Sequence, residues 1–335
     1  MAREEQITSF LQAAGWSGAD CHPLAGDASN RRYLRLGSAQ QGSAILMDAP
    51  SHAGEGLRPF LEIAAFLSGA GLSPPRILAQ DVAQGLLLLE DLGDDLFFNL
   101  MARVSHKEAA LYEAACDVLM HLRHVTPSPL PPLDTDWLIS AAGLFFDWYA
   151  PHSDLPLEQE FNAAFRVLAT PLDAVNPVFV FRDFHAQNLL WLPDRTGVAR
   201  VGLLDFQDAL LGHPAYDLVS MLQDARRDVP AEMEAQIIAR YLAQSGDAPE
   251  DFRQAYALLG LQRNLRILGI FARLCLQDGK AGYVDMIPRV HGYVRRNLMH
   301  PALQDMRQYL DPLLPDPTDT FLHELKQQCA TYPQP

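Results

Sequence analysis

The order of elements along this 335-residue chain predicts an α+β fold, with a small β-rich lobe to about residue 91 and a larger, mainly helical lobe to about residue 310. Three observations lead there. Short apolar runs alternate with turns up to Gly93, as antiparallel strands do. Beyond Phe97 apolar residues recur at helical spacing. Between residues 178 and 206 short apolar runs return, now separated by Asp183, Asn188 and Asp205.

Taken in order, residues 4–15 read as a helix through Ile7, Phe10 and Leu11, ended by Gly15 and Trp16. Leu24 to Leu36 reads strand, loop, strand: Gly26, Asp27, Ala28 and Ser29 form the turn, and Arg31 and Arg32 lead into the alternating Tyr33-Leu34-Arg35-Leu36. A strand over Ala44 to Pro50 and a helix from Arg58 to Ser68 follow. Leu72 to Gly93 holds an apolar segment, a turn at Gln84-Gly85, and the buried-strand pattern Leu86 to Leu89, closed by Glu90, Asp91 and Leu92. One helix is expected over Phe97 to Arg123, with Leu111, Ala115, Val118 and Leu122 on its apolar stripe. His121 and His124 at its C-terminal end complement the helix dipole better than they suggest a metal site. A proline-rich loop, Thr126 to Pro132, precedes the aromatic run Phe145 to Tyr149. Residues 231–245 and 251–277 read as two more helices, and 311–335, rich in proline and polar residues, as a peripheral tail.

The chemistry concentrates at Phe181-Arg182-Asp183-Phe184-His185-Ala186-Gln187-Asn188 and at Leu203-Leu204-Asp205-Phe206. The turn-rich Pro193 to Gly197 makes Leu189–Leu192 and Val201–Leu204 a hairpin, so Asp183 and Asn188 fall on the loop entering it and Asp205 at its exit. Transfer of a phosphoryl group needs one group to orient and deprotonate an acceptor hydroxyl and hard oxygen ligands to hold Mg2+ across the phosphates. Asp183 suits the first task; the amide of Asn188 and the carboxylate of Asp205 suit the second. Alone, three polar residues at a hairpin could equally be turn punctuation.

A further stretch, Gly212-His213-Pro214-Ala215-Tyr216-Asp217-Leu218, removes that ambiguity. Together these segments resemble the aminoglycoside phosphotransferase and choline kinase branch of the protein-kinase-like fold, with its D-x-x-x-x-N loop, apolar-Asp-Phe/Trp step and G-x-P-x-Y-D-L turn. The resemblance implies a bilobal fold with an antiparallel-sheet N-lobe as nucleotide-binding lobe (1–91), a helical catalytic and substrate lobe (92–310), and ATP and Mg2+ as cofactors. In such a fold Gly26, Asp27, Ala28 and Ser29 would lie over the ATP phosphates, and Glu90 to Leu92 would form the hinge that holds adenine.

One departure narrows the branch. Many kinases carry a phosphate-binding lysine on the third strand; this strand has Met47, and no lysine occurs in the first hundred residues. Arg31 or Arg32 is the nearest cationic replacement, and Glu62 becomes a helix carboxylate without its usual partner. Gly26 to Ser29 followed by Arg31-Arg32-Tyr33, with Leu46-Met47-Asp48-Ala49-Pro50, resembles the bacterial anomeric kinases of N-acetylmuramate and N-acetylglucosamine in cell-wall recycling, where the lysine-less strand is usual. That resemblance makes a sugar the small-molecule partner. His185 and Asp208 become candidate substrate contacts, and Asp147 and Trp148 become candidates to face the ring. Arg263, Arg266 and Arg273 share a helix face; they would receive the lactyl carboxylate of N-acetylmuramate or else pair with acidic residues of the lobe. Aminoglycoside, choline or other alcohol kinases, and a nucleotide-binding pseudokinase, remain the competing readings.

Composition agrees. Forty-one acidic against 26 basic residues is the wrong balance for a nucleic-acid binder, and 49% hydrophobic content supports a sizeable core. Cys21, Cys116, Cys275 and Cys329 are scattered, without zinc or disulfide spacing. An acidic N-terminal segment and the absence of long apolar runs point to a cytoplasmic protein without membrane association or an obligate protein partner.

Overall fold

The computed structural model describes residues 2–24, 31–50, 54–151 and 155–332. They divide into two compact units: residues 1–118 with 186–208, and residues 119–185 with 209–335.

The first unit is built on a five-stranded antiparallel sheet of β1 (Asp20–Pro23), β2 (Arg32–Ser38), β3 (Gly42–Asp48), β4 (Ile77–Asp81) and β5 (Leu86–Glu90), in spatial order β1-β2-β3-β5-β4. β3 and β5 are central, which explains why Leu86 to Leu89 is apolar without alternation: all four residues are buried. Helix α1 (Arg3–Ala13) lays Ile7, Phe10 and Leu11, with Trp16 behind them, onto Leu36, Ala44, Leu46, Leu86 and Leu88. The stop expected at Gly15 is present, with φ +82° at that residue. α2 (Arg58–Gly69) matches its predicted bounds closely and buries Phe60, Ile63, Ala64 and Leu67.

The helix expected over Phe97 to Arg123 is two helices, α3 (Phe97–Arg103) and α4 (Glu108–Leu122). Val104 leaves helical space at φ −139°, and Ser105 to Lys107 make a 3-10 turn. A β-branched residue followed by serine is weak helix-forming sequence, so the break is local in origin.

The second unit is helical: α5 (Thr135–Leu144), α6 (Leu155–Ala169), α7 (Ala215–Leu222), α8 (Ala231–Ser245), α9 (Pro249–Leu276), α10 (Ile287–Asn297), α11 (Gln304–Leu310) and α12 (Asp319–Gln327). The 28-residue α9 is its axis and packs against α5, α7 and α10. It is buried on nearly every side, as the absence of a single apolar stripe requires. Gly269 permits the closest approach: a Cβ there would stand 2.2 Å from the carbonyl oxygen of Leu144. The stretch from Asp311 carries α12 and buries Leu313, Leu314 and Leu325.

Four short strands frame the sequence motifs. β6 (Val178–Val180) pairs with β9 (Leu210–Gly212) in the second unit, and the hairpin of β7 (Leu189–Trp191) with β8 (Val201–Leu203) belongs to the first. The hairpin stands where the sequence placed it. Ser73 fastens it: its carbonyl accepts the Leu203 amide at 2.9 Å and its hydroxyl donates to the Ala199 carbonyl at 2.7 Å.

Candidate active site

In the second unit, the chain leaves β6 through a conformation that few side chains adopt: Arg182 has φ +73°. Asp217, at the start of α7 and 2% exposed, holds this turn by accepting the amides of Phe181 at 2.6 Å and Arg182 at 3.0 Å. Burial pushes the Asp217 carboxyl up to about 7, against the pull of those two donors. Stored strain of this kind persists only where surrounding contacts over-determine it, and it clusters at functional sites.

The strained turn presents Asp183, whose side chain is 36% exposed. Its Oδ1 lies 3.6 Å from Nη2 of the buried Arg263 on α9. Burial works against its ionisation, yet Arg266 and Arg263, with His185 and Arg182, hold its carboxyl below the usual carboxylate range. Two of the three arginines predicted to share a face of this helix, Arg263 and Arg266, therefore meet Asp183. Trp137 lies under the Arg182 and Arg266 guanidiniums at 5.5 and 5.9 Å from the ring centroid.

His185 is 4% exposed. Burial is the main cause that carries it down to about 4, so it is neutral at physiological pH. Arg226 Nη1 donates to its Nε2 at 3.0 Å, which leaves the ring hydrogen on Nδ1. That Nδ1, the Tyr216 hydroxyl, and Nε and Nη1 of Arg263 are buried polar atoms without protein partners. Unsatisfied buried donors are costly, so a cluster of them beside a carboxylate favours a polar or anionic guest.

In the first unit, the Leu204 amide donates to the Asn188 carbonyl at 2.9 Å, which draws the two ends of the hairpin together. Asn188 Nδ2 then stands 3.5 Å from Asp205 Oδ2, and Gln207 Nε2 donates to Asp205 Oδ1 at 2.8 Å and reaches Asp208 Oδ2 at 3.5 Å. Asp205 is itself left-handed, at φ +55°. Rotating the Asn188 amide by half a turn exchanges its nitrogen for its oxygen and sets an amide and a carboxylate oxygen side by side. Such a pair fits Mg2+, which takes one or two protein oxygens and fills its octahedron with water and phosphate.

The other predicted residues are placed as follows. Gly26, Asp27, Ala28 and Ser29 lie outside the described residues. Arg32 is spoken for: it and Arg3 (2.5 Å) each take one oxygen of the fully buried Asp48 carboxylate on β3. Arg31 directly precedes β2. Glu62 pairs with Arg58 one turn earlier, both exposed. The Glu90 amide donates to the Arg76 carbonyl at 2.8 Å. Burial opposes ionisation of the Glu90 carboxyl, but the amide and guanidinium of Arg76, together with Arg195, hold it below the ordinary range. Leu92 follows β5, with its side chain against Gly202. Asp147 sits exposed on a π-helical turn from Phe145 to Tyr149, near enough to Glu158 to raise that residue's pKa, and Trp148 packs against Tyr332.

Four residues escaped the sequence reading: Asp217, Ser220, Trp137 and Gln207. Asp217 was inside a motif already singled out, and its fixed place after a turn was a usable signal. The other three carry none; only contacts between distant segments identify them.

A comparison with protein-family models matches residues 20–258 to the phosphotransferase enzyme family. A protein of Caulobacter vibrioides named N-acetylmuramate/N-acetylglucosamine kinase is 38% identical, over 93% of this chain and 97% of its own. A protein of the same name from Pseudomonas aeruginosa is 36% identical over the same shares of each. Among solved structures, the choline kinase LicA of Streptococcus pneumoniae superposes with TM-score 0.59 at 13% identity, over 88% of this chain and 100% of its own. An aminoglycoside 2′-phosphotransferase-IIIa solved with GDP gives 0.59 at 14% identity, over 89% and 98%. The kinase-like α+β fold read from the motifs is therefore the fold of the molecule, and the chain belongs to the phosphotransferase enzyme family.

Proposed function

We propose that this phosphotransferase transfers the γ-phosphoryl group of ATP to the anomeric hydroxyl of N-acetylmuramate or N-acetylglucosamine. The observation that carries the choice of acceptor is the pair of arginines at Asp183: Arg263 within 3.6 Å, and Arg266 adding its charge. Two guanidiniums beside the base repel a polycationic aminoglycoside or choline and welcome a neutral or anionic sugar. The names of the two relatives agree with that choice.

In this reading Asp183 accepts the proton of the sugar hydroxyl. An anomeric hydroxyl is more acidic than an ordinary alcohol, so a carboxylate stabilised as its anion is base enough. Arg266 and the open edge of Arg263 receive the lactyl carboxylate, and His185 Nδ1 donates to the acceptor. Asp147 and Asp208 are further acceptor contacts. Asn188 and Asp205 hold Mg2+, which when bound neutralises charge on the phosphates. Residues 1–91 bind the nucleotide through the segment 26–29, Arg31 and the hinge from Glu90 to Leu92, and residues 92–310 carry the chemistry. In this reading an enzyme that draws on ATP works in the cytoplasm. Among the described residues no helix is long and apolar enough to cross a membrane.

The test is ³¹P NMR of the protein with Mg-ATP and N-acetylmuramate, beside Asp183→Ala and beside the methyl glycoside of the sugar. A sugar 1-phosphate resonance that needs both Asp183 and a free anomeric hydroxyl is expected. Phosphorylation of the methyl glycoside would move the site of transfer to another hydroxyl.

A further inference from the structure

α7 reaches Asp183 in two ways, directly at its loop and through α9. Asp217, in its first turn, holds the loop's backbone amides. Ser220 lies three residues on, and therefore on the same helix face. Its hydroxyl oxygen, fully buried, accepts from Arg263 Nη2 at 2.8 Å, and that same nitrogen is the one 3.6 Å from Asp183 Oδ1. Arg263 is 2% exposed and rises from α9, which is buried on nearly every side.

We propose that Ser220 and Arg263 are a positioning pair for Asp183: the serine fixes the guanidinium, and the guanidinium, standing on the Oδ1 side, sets the angle at which the carboxylate meets the acceptor hydroxyl. The inference rests on the sugar-kinase reading for its acceptor but on the geometry of α7 and α9 for its residues. A base must aim one lone pair at the proton it removes, and a free carboxylate has two oxygens and a rotatable bond with which to miss. A buried cation, fixed by its own hydrogen bond and 3.6 Å from Oδ1, restrains that rotation electrostatically. Other groups that act on Asp183 include Arg266 on α9, Arg182 and His185 on its own loop, and Tyr216 and Asp217 on α7. The Ser220 hydroxyl acts on Asp183 through Arg263, whose Nη2 it holds at 2.8 Å. The same ion pair makes Asp183 a weak base, so the arrangement serves hydroxyls as acidic as a hemiacetal's better than it serves a primary alcohol.

The experiment measures kcat and KM for Mg-ATP and for N-acetylglucosamine, which lacks the lactyl carboxylate, in the full-length protein and in Ser220→Ala, Arg263→Met and Arg263→Lys. Thermal unfolding is followed for each. Arg263→Met should lower kcat by about 100-fold, the lower end of what general-base catalysis supplies, and leave both KM values within about threefold. Arg263→Lys should restore about tenfold of the loss, because a point charge replaces the fork incompletely. Ser220→Ala should lower kcat by about five- to tenfold with KM unchanged. If Arg263→Met does not fold, Ser220→Ala and Arg263→Lys carry the test, since each preserves the guanidinium or its charge. Unchanged kcat in Ser220→Ala and Arg263→Lys, or losses that appear only in KM, would overturn the positioning role. Failure of the sugar-kinase reading shows itself differently, as absence of sugar turnover in the wild type; the slow hydrolysis of Mg-ATP then ranks the same variants, and an equal rate in all of them would overturn the proposal.

Discussion

Asp217 closes on the amide of Phe181 at 2.6 Å, from a position almost wholly removed from water. This one carboxylate holds the left-handed turn on which Asp183 stands. The residue that shapes the site is therefore 34 positions away from the residue proposed to act in it.

Replacing Asp217 by alanine leaves two buried amide donors without acceptors and frees a strained turn. We expect a loss of about 2–4 kcal/mol in unfolding free energy, at about 1–3 kcal/mol for each orphaned donor. Turnover should fall at least 100-fold as Asp183 loses its place. Urea unfolding and steady-state kinetics check the two halves.

A second carboxylate, Asp48, is buried between Arg3 of α1 and Arg32 of β2. Both arginines reach solvent, at 24% and 59% exposure, so their charges are not stranded when the partner is removed. Asp48→Ala should accordingly cost about 1–3 kcal/mol, less than breaking a fully buried pair. Because one acid joins α1 to β2, Arg3→Ala should cost less than Asp48→Ala in the same unfolding assay.

His213, like His185, is driven down to about 4 by burial, with Asp247 opposing and Arg123 assisting. Between an unfolded value near 6.5 and a folded value near 4 the unfolded chain takes up a proton that the native state refuses. Stability is therefore fully present above about pH 6.5 and is lost as pH falls toward 4, by up to about 3 kcal/mol for each such histidine. Asp217 works in the opposite sense: its raised folded value, about 7, subtracts stability as pH rises from about 4 to 7. A difference measurement isolates the histidine. His213 Nδ1 caps the start of α7 by accepting the Ala215 amide at 3.1 Å, a role asparagine can take over. Thermal melts from about pH 7 to about pH 4.5 should show wild type losing stability relative to His213→Asn.

Two glycines should respond oppositely to alanine. At Gly269 the new methyl carbon would meet the Leu144 carbonyl oxygen at 2.2 Å, a backbone atom that cannot step aside cheaply. We expect about 2–4 kcal/mol of destabilisation as α9 is pushed off the end of α5. Gly292 lies exposed within α10 with open space where a Cβ would go. There Gly292→Ala should stabilise by about 0.5–1 kcal/mol through helix propensity. Calorimetry of the two variants tests the sign of each.

What the sequence determined by itself is whatever depends on neighbours in the chain. The hairpin between Leu189 and Leu203, the stop of α1 at Gly15, the bounds of α2 and α8 and the common face of Arg263 and Arg266 all follow from spacing and turn residues. The proposed roster of Asp183, Asn188 and Asp205 likewise rests on a short interval whose order is readable.

Tertiary structure decided which faces meet. Helical periodicity could place Arg263 and Arg266 together but not aim them at Asp183, since the rotation of α9 against the loop is set by the burial of its other sides. The same holds for Arg32, which local sequence offered to a phosphate and which Asp48 holds instead, and for Trp137, distinguished from Trp148 only by the guanidiniums that lie on its ring. Pairings of this sort join segments separated by 16 residues, for Arg32 and Asp48, to 129, for Trp137 and Arg266; they are decided by which arrangement buries the core and satisfies the charges together, a condition on the whole fold and on no local stretch of it.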